Sequence, residues 1–215
     1  MPDSLRRLAP LTGIVFAALL VVTFFLTPSA PNQHDTGAQV IAHFRLHHSA
    51  IMIGNFCGAL AVIFFIFFAG SLRSYLRGHE GGEGLSAVAL GGAVLLGTGG
   101  AIFSSLEWAL SETRDSISPA AAEAINVLSN NLFWPFEAGI VVFSIAIGLA
   151  ILRTGALSKW LGWVMIVIGV IGVTPVGFFG FFAVMIWSVI VAVILYRCGG
   201  EPARPRDEGA VAPAP

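Results

Sequence analysis

Six apolar stretches decide what this chain can become. They fall at about 8–27, 49–72, 85–110, 125–152, 159–174 and 176–196. A helix needs about 20 apolar residues to cross the ~30 Å of hydrocarbon in a bilayer. The expected fold class is therefore all-α: an integral membrane bundle of six transmembrane helices, N- and C-termini cytoplasmic. The fifth and sixth stretches run together from Lys159 to Tyr196 and are divided only at Thr174-Pro175 and Gly177. Proline has no amide donor and clashes with the preceding turn, so a tight reversal is placed there. The fifth span is short, and a re-entrant or strongly kinked helix is its alternative.

Charge fixes the orientation. Arg6, Arg7, Arg73, Arg77, Arg153, Lys159, Arg197, Arg204 and Arg206 share one side under the six-span arrangement, and Arg45 and Arg114 share the other. Nine against two is the bias of a positive-inside protein, and removing one span would move the C-terminal arginines outside. The expected location is the cell membrane, multi-pass, of the bacterial inner membrane type. Only 11% of residues are charged, against about a quarter in soluble domains. The net charge of −1 offers no basic field for nucleic acid. Cys57 and Cys198 have no metal or disulfide spacing.

The first stretch follows two arginines and resembles a signal peptide superficially. Its apolar run is long, and a cut after Ala30 would put Pro28 where a small residue is needed and Pro31 just after the bond, so a retained first span is expected. Two outer loops, about 28–48 and 111–124, exceed the inner ones. Asp35 or Thr36 is positioned to cap a helix running through Gln39, His43 and His47 into the second span. Residues 199–215 form a polar cytoplasmic tail, expected to be disordered. Ala89, Ala93, Gly97, Ala101 and Ser105 make a four-residue stripe of small side chains on the third span, where another helix can come close.

The segment Gly70-Ser71-Leu72-Arg73, and more tellingly Leu152-Arg153-Thr154-Gly155-Ala156-Leu157-Ser158-Lys159-Trp160-Leu161-Gly162-Trp163, resembles a family of small actinobacterial multi-span membrane proteins classed as a domain of unknown function. The resemblance covers about Ala30 to Arg197, with Ser158 where family members usually have proline. It implies topology, and no activity or site residues come with it.

Chemistry is expected where polar groups enter spans. Glu107 lies at the outer end of span three and Glu137 about a turn and a half into span four. Such acids are costly in hydrocarbon and usually face the bundle interior. Asn126, Asn130, Phe133, Glu137, Ser144 and Gly148 recur at spacings that put them on one face of one helix, with Pro135 beside the acid. Ser104 shares a face with Glu107, and His48 and Asn55 lie seven residues apart on span two. With Trp108 and Trp134, these residues point to an acidic, aromatic-lined pocket in the outer leaflet. The candidate ligand-binding residues are Glu137, Glu107, Asn130, His48, Asn55, Trp134 and Trp108. The bland reading is interhelical hydrogen bonding for the polar groups and an interfacial belt for the tryptophans.

No cofactor or metal is expected. His43 and His47 have the i, i+4 spacing for a shared metal, which Glu107 could complete, but no HExxH occurs and solvated histidines are normal at a helix start. No histidine pair lies deep enough for haem, and no GxSxG marks a nucleophile. Three function classes stay open. One is binding or transport of a small molecule or proton. The second is an intramembrane enzyme acting on a lipophilic substrate through a glutamate general acid. The third is an accessory subunit of a membrane complex. The expected partners are the bilayer, a small or lipophilic ligand, and a second copy or another membrane protein.

Overall fold

The computed structural model describes residues 8–132, 134–174 and 177–197, and every regular element among them is helical. After a short 3-10 turn at Ala9–Leu11 come seven α-helices: α1 (Thr12–Leu26), α2 (Gly37–Arg77), α3 (Glu83–Thr113), α4 (Pro119–Asn131), α5 (Trp134–Thr154), α6 (Lys159–Ile171) and α7 (Phe178–Arg197). Five stretches are long and apolar enough to cross a membrane: Ala9–Leu26, Gly37–Arg77, Glu83–Thr113, Pro119–Thr154 and Phe179–Arg197. The fold is a membrane-type helical bundle. The tail at 199–215, Arg6, Arg7, Arg204, Arg206, Phe133, Pro175 and Cys198 lie outside the described residues.

Neighbouring helices alternate in direction. Thr23 Oγ1 of α1 donates to the Gly54 carbonyl of α2 at 3.3 Å, while Gly13 packs on Phe68 at the other end. Gly97 of α3 meets Val62 and Ile66 of α2. Trp187 Nε1 of α7 donates to the Leu161 carbonyl of α6 at 3.2 Å, and Gly180 approaches Ile168 a few turns away. Finally α7 closes on α1, with Gly13 near Ala192 and the Phe24 and Phe182 rings 4.8 Å apart. This alternation gathers Arg73, Arg77, Arg153, Lys159 and Arg197 at one end of the bundle and Arg45 and Arg114 at the other. Between the ends lies an aromatic core of Phe16, Phe65, Phe68, Phe143 and Trp187, each at most 2% exposed.

Two expected spans differ from what forms. The fourth, at 125–152, is not one helix: α4 stops at Asn131 and α5 starts at Trp134, with Leu132 turned to ψ 42°. Pro135 cannot donate to the Asn131 carbonyl, and its ring crowds that same group, so the ladder breaks four residues before the proline. The fifth, at 159–174, is the 13-residue α6, about 20 Å long. It falls short of the hydrocarbon thickness and is, among the described residues, the one apolar helix outside the five. Gly172 caps it and successive turns reach Gly180, yet α7 still returns to the arginine-rich end.

A second apolar core stands at the end of the bundle that carries Arg45 and Arg114. At 41 residues, α2 is about 60 Å long, roughly twice the hydrocarbon. Thr36 is its N-cap, as expected for that position, and its backbone amide donates to Gln39 Oε1 at 2.8 Å. The overhanging part of α2 packs Val40, Phe44 and Ile51 against Leu110 of α3 and Ala122 of α4. Gly37 has no room for a side chain against the Pro119 backbone, and its amide donates to Glu123 Oε2 at 3.2 Å. Together the start of α2, the end of α3 and α4 form a cap over that end.

Candidate functional site

Between the cap core and the bundle core runs a seam of polar side chains from α2 and α3. Glu107 and Asn55, each 7% exposed, face one another across the two helices. The Asn55 Nδ2 atom is buried without a completed hydrogen bond. One turn further out on α3, the Ser111 hydroxyl is 2.7 Å from His48 Nδ1. The rim beyond is charged: Arg45 Nε pairs with Asp115 Oδ1 at 2.9 Å, and Arg114 Nη1 donates to the Ser111 carbonyl at 2.6 Å. The two helices run antiparallel, so the order His48, Asn55 along α2 meets the reversed order Ser111, Glu107 along α3.

The other expected site residues lie elsewhere. Asn130 Nδ2 donates to the Pro31 carbonyl at 3.3 Å, and Asn126 Nδ2 donates to the Asn32 carbonyl at 2.8 Å. Both amides fasten the first outer loop to α4. Trp108 and Trp134 are 43% and 76% exposed, which is the outward placement of interfacial aromatics rather than a pocket lining. The single face expected for Asn126, Asn130, Glu137, Ser144 and Gly148 is cut by the break at Leu132.

Glu137 is half-buried and makes no hydrogen bond or ion pair with a described residue. The positions one, two and three turns further along its stripe, Val141, Ile145 and Gly148, meet Gly172, Gly169 and Gly162 of α6. Phe136, Gly139 and Phe143 instead face α3. Glu137 therefore lies on the side of α5 that faces α6. Ser144, buried on that stripe, leaves its Oγ unpartnered.

His43 and His47 pack at a tilt near the start of α2, ring centroids 4.8 Å apart. Burial first, and then the neighbouring His47, holds the His43 imidazole below its ordinary pKa, while Asp35 works the other way. Among the described residues, no set of three metal-ligating side chains includes them. Ser111 carries no mark in the sequence beyond lying four residues after Glu107. No family model, no curated protein and no solved structure matches the chain.

Proposed function

We propose that the chain is a multi-pass protein of a bacterial cell membrane that binds or passes a proton or a small hydrogen-bonding molecule at an acidic site in its outer half. Glu107 is the acid, Asn55 its partner, and His48 with Ser111 the route to the outside. The observation that carries this reading is the carboxyl of Glu107, 7% exposed and set against an unsatisfied amide between two apolar cores. Desolvating such a group is expensive, and an apolar pair of the same volume would stabilise the bundle at least as well. Acids kept inside spans mark binding or proton-relay sites by default. A carboxyl can exchange a proton or accept a ligand's donor, and Asn55 Nδ2 offers a donor in return. The imidazole beyond them is suited to relay.

Carbodiimide labelling of the detergent-solubilised protein tests the site, because the reagent seeks carboxyls in apolar surroundings. Modification should map by peptide mass spectrometry to Glu107. Modification confined to Glu137 would transfer the site to the α5–α6 side.

Orientation belongs to the same proposal: the arginine-rich end is cytoplasmic and the cap is outside. Single cysteines at Gln33 and Ser116 should react with an impermeant maleimide on intact cells, and those at Gly81 and Glu208 only after permeabilisation. Labelling of Glu208→Cys on intact cells would refute the even number of crossings. Membership of the actinobacterial family is proposed on the same footing, supported by the Leu152–Trp163 segment. That segment makes the α5–α6 reversal, with Gly155 at φ 63°, the left-handed conformation favoured just past a helix end.

A further inference from the structure

At the arginine-rich end, opposite the acidic seam, His79, Glu80, Gly81, Arg153 and Thr154 line an open cleft of about 420 Å³. It is formed by the loop joining α2 to α3 and by the last turn of α5. Two opposite charges stand in it without meeting: the ion pairs among the described residues are Arg45–Asp115 and Arg114–Asp115, and neither Arg153 nor Glu80 takes part. His79 Nδ1 lies 3.1 Å from the Tyr75 carbonyl, which fixes the ring as a donor there and leaves Nε2 for the cleft. Gly81 holds the arrangement. It sits at φ 78°, and a Cβ on it would come within 2.8 Å of Arg153 Nε. Only glycine lets the loop lie flat on the guanidinium.

A cleft with one free guanidinium and one free carboxylate is complementary to a zwitterion. The depth narrows the choice. Arg153 and the exposed Trp160 (53%) stand where the apolar helices α5 and α6 meet their connecting turn, the level at which headgroups lie and basic and aromatic side chains anchor. The guanidinium fits a phosphate bidentately, and a carboxylate one loop away fits a primary ammonium. We infer that this cleft binds a phosphate ester bearing a primary amine, the chemistry of a phosphoethanolamine headgroup. Arg153 takes the phosphate, with Thr154 and His79 beside it, and Glu80 takes the ammonium. The inference is independent of the acidic seam at the other end.

The test uses the full-length protein in detergent, titrated with phosphatidylethanolamine, phosphatidylglycerol and phosphatidylcholine of matched chains and read by native mass spectrometry. Phosphatidylethanolamine should bind about tenfold more tightly than either other lipid, since glycerol brings no cation and choline no N–H donor. Arg153→Gln should weaken ethanolamine and glycerol lipids alike, by about tenfold. Glu80→Gln should abolish the preference while sparing phosphatidylglycerol. Gly81→Ala should reduce binding as Arg153→Gln does. Equal affinity for the three lipids, or a preference that survives Glu80→Gln, would overturn the assignment. Free phosphoethanolamine separates the sources. Competition at concentrations comparable to the lipid supports the same recognition with a soluble ligand. Competition only in large excess supports the lipid.

Discussion

Replacing Gly139 with alanine is expected to cost about 3 kcal/mol of stability, the upper part of the range for overpacking, although the change adds one methyl group. The methyl would run into the backbone nitrogen and Cα of Leu96 on α3, and Gly92 and Gly99 make the reciprocal approach to the backbone at Phe143 and Phe136 of α5. Backbone cannot rotate out of the way as a side chain does, so α3 and α5 would have to separate along their whole contact. Gly91→Ala is the matched control. It lies on the partner helix α3, and a Cβ there meets nothing within 4 Å. Its expected effect is neutral to slightly stabilising, by up to about 1 kcal/mol from helix propensity. Thermal unfolding in one detergent, read by circular dichroism or a thiol-reactive dye, compares the two. Equal shifts would mean that α3 and α5 do not meet at Leu96 and Gly139.

That pair of helices also shows where sequence periodicity stops. The small-residue stripe on α3 predicts a close neighbour, and Ala89, Ala93 and Gly97 are indeed buried, but Ala101 and Ser105 are exposed. Positions four apart drift by about 40° per step around a 3.6-residue helix, so five of them cannot stay on one face of a straight helix. The tightest contacts fall instead at Gly92 and Gly99, whose seven-residue spacing keeps its face. Gly97 touches only the movable tips of Val62 and Ile66.

Apolar run length marked the helical class and the five long hydrophobic stretches, because that signal is one-dimensional. The break before Pro135 and the shortness of α6 were written in Pro135 and Gly172, yet hydropathy alone runs straight through them. The cap was harder to foresee. Its core of Val40, Phe44, Ile51, Leu110 and Ala122 draws on three helices, and two of these residues sit within stretches that also read as membrane. At the site, the i, i+7 relation of His48 and Asn55 was visible on one helix. Their partners Ser111 and Glu107 depended on the register between two helices, which no local pattern encodes.

Glu107→Gln should leave the fold intact and remove the function of the outer site. Glutamine keeps the size of the side chain and its hydrogen-bonding capacity, but it can neither exchange a proton nor balance a cation. Proton uptake by reconstituted vesicles, the readout of the proposed proton route followed with an entrapped pH dye, should fall by about a hundredfold or more, the range for losing a positioned acid or base. Carbodiimide modification should disappear with it. Glu137→Gln, on the α6-facing stripe, should change neither. The double variant Glu107→Leu with Asn55→Leu separates a site from a structural bond. Removing both buried polar partners together is close to neutral or stabilising when apolar groups fill the space. It is therefore expected to melt at or above the wild-type temperature while remaining inactive. His48→Phe should slow uptake less than Glu107→Gln, since Ser111 and water can still serve the outer step. A double variant that loses several kcal/mol, together with undiminished uptake in Glu107→Gln, would reduce the seam to interhelical glue.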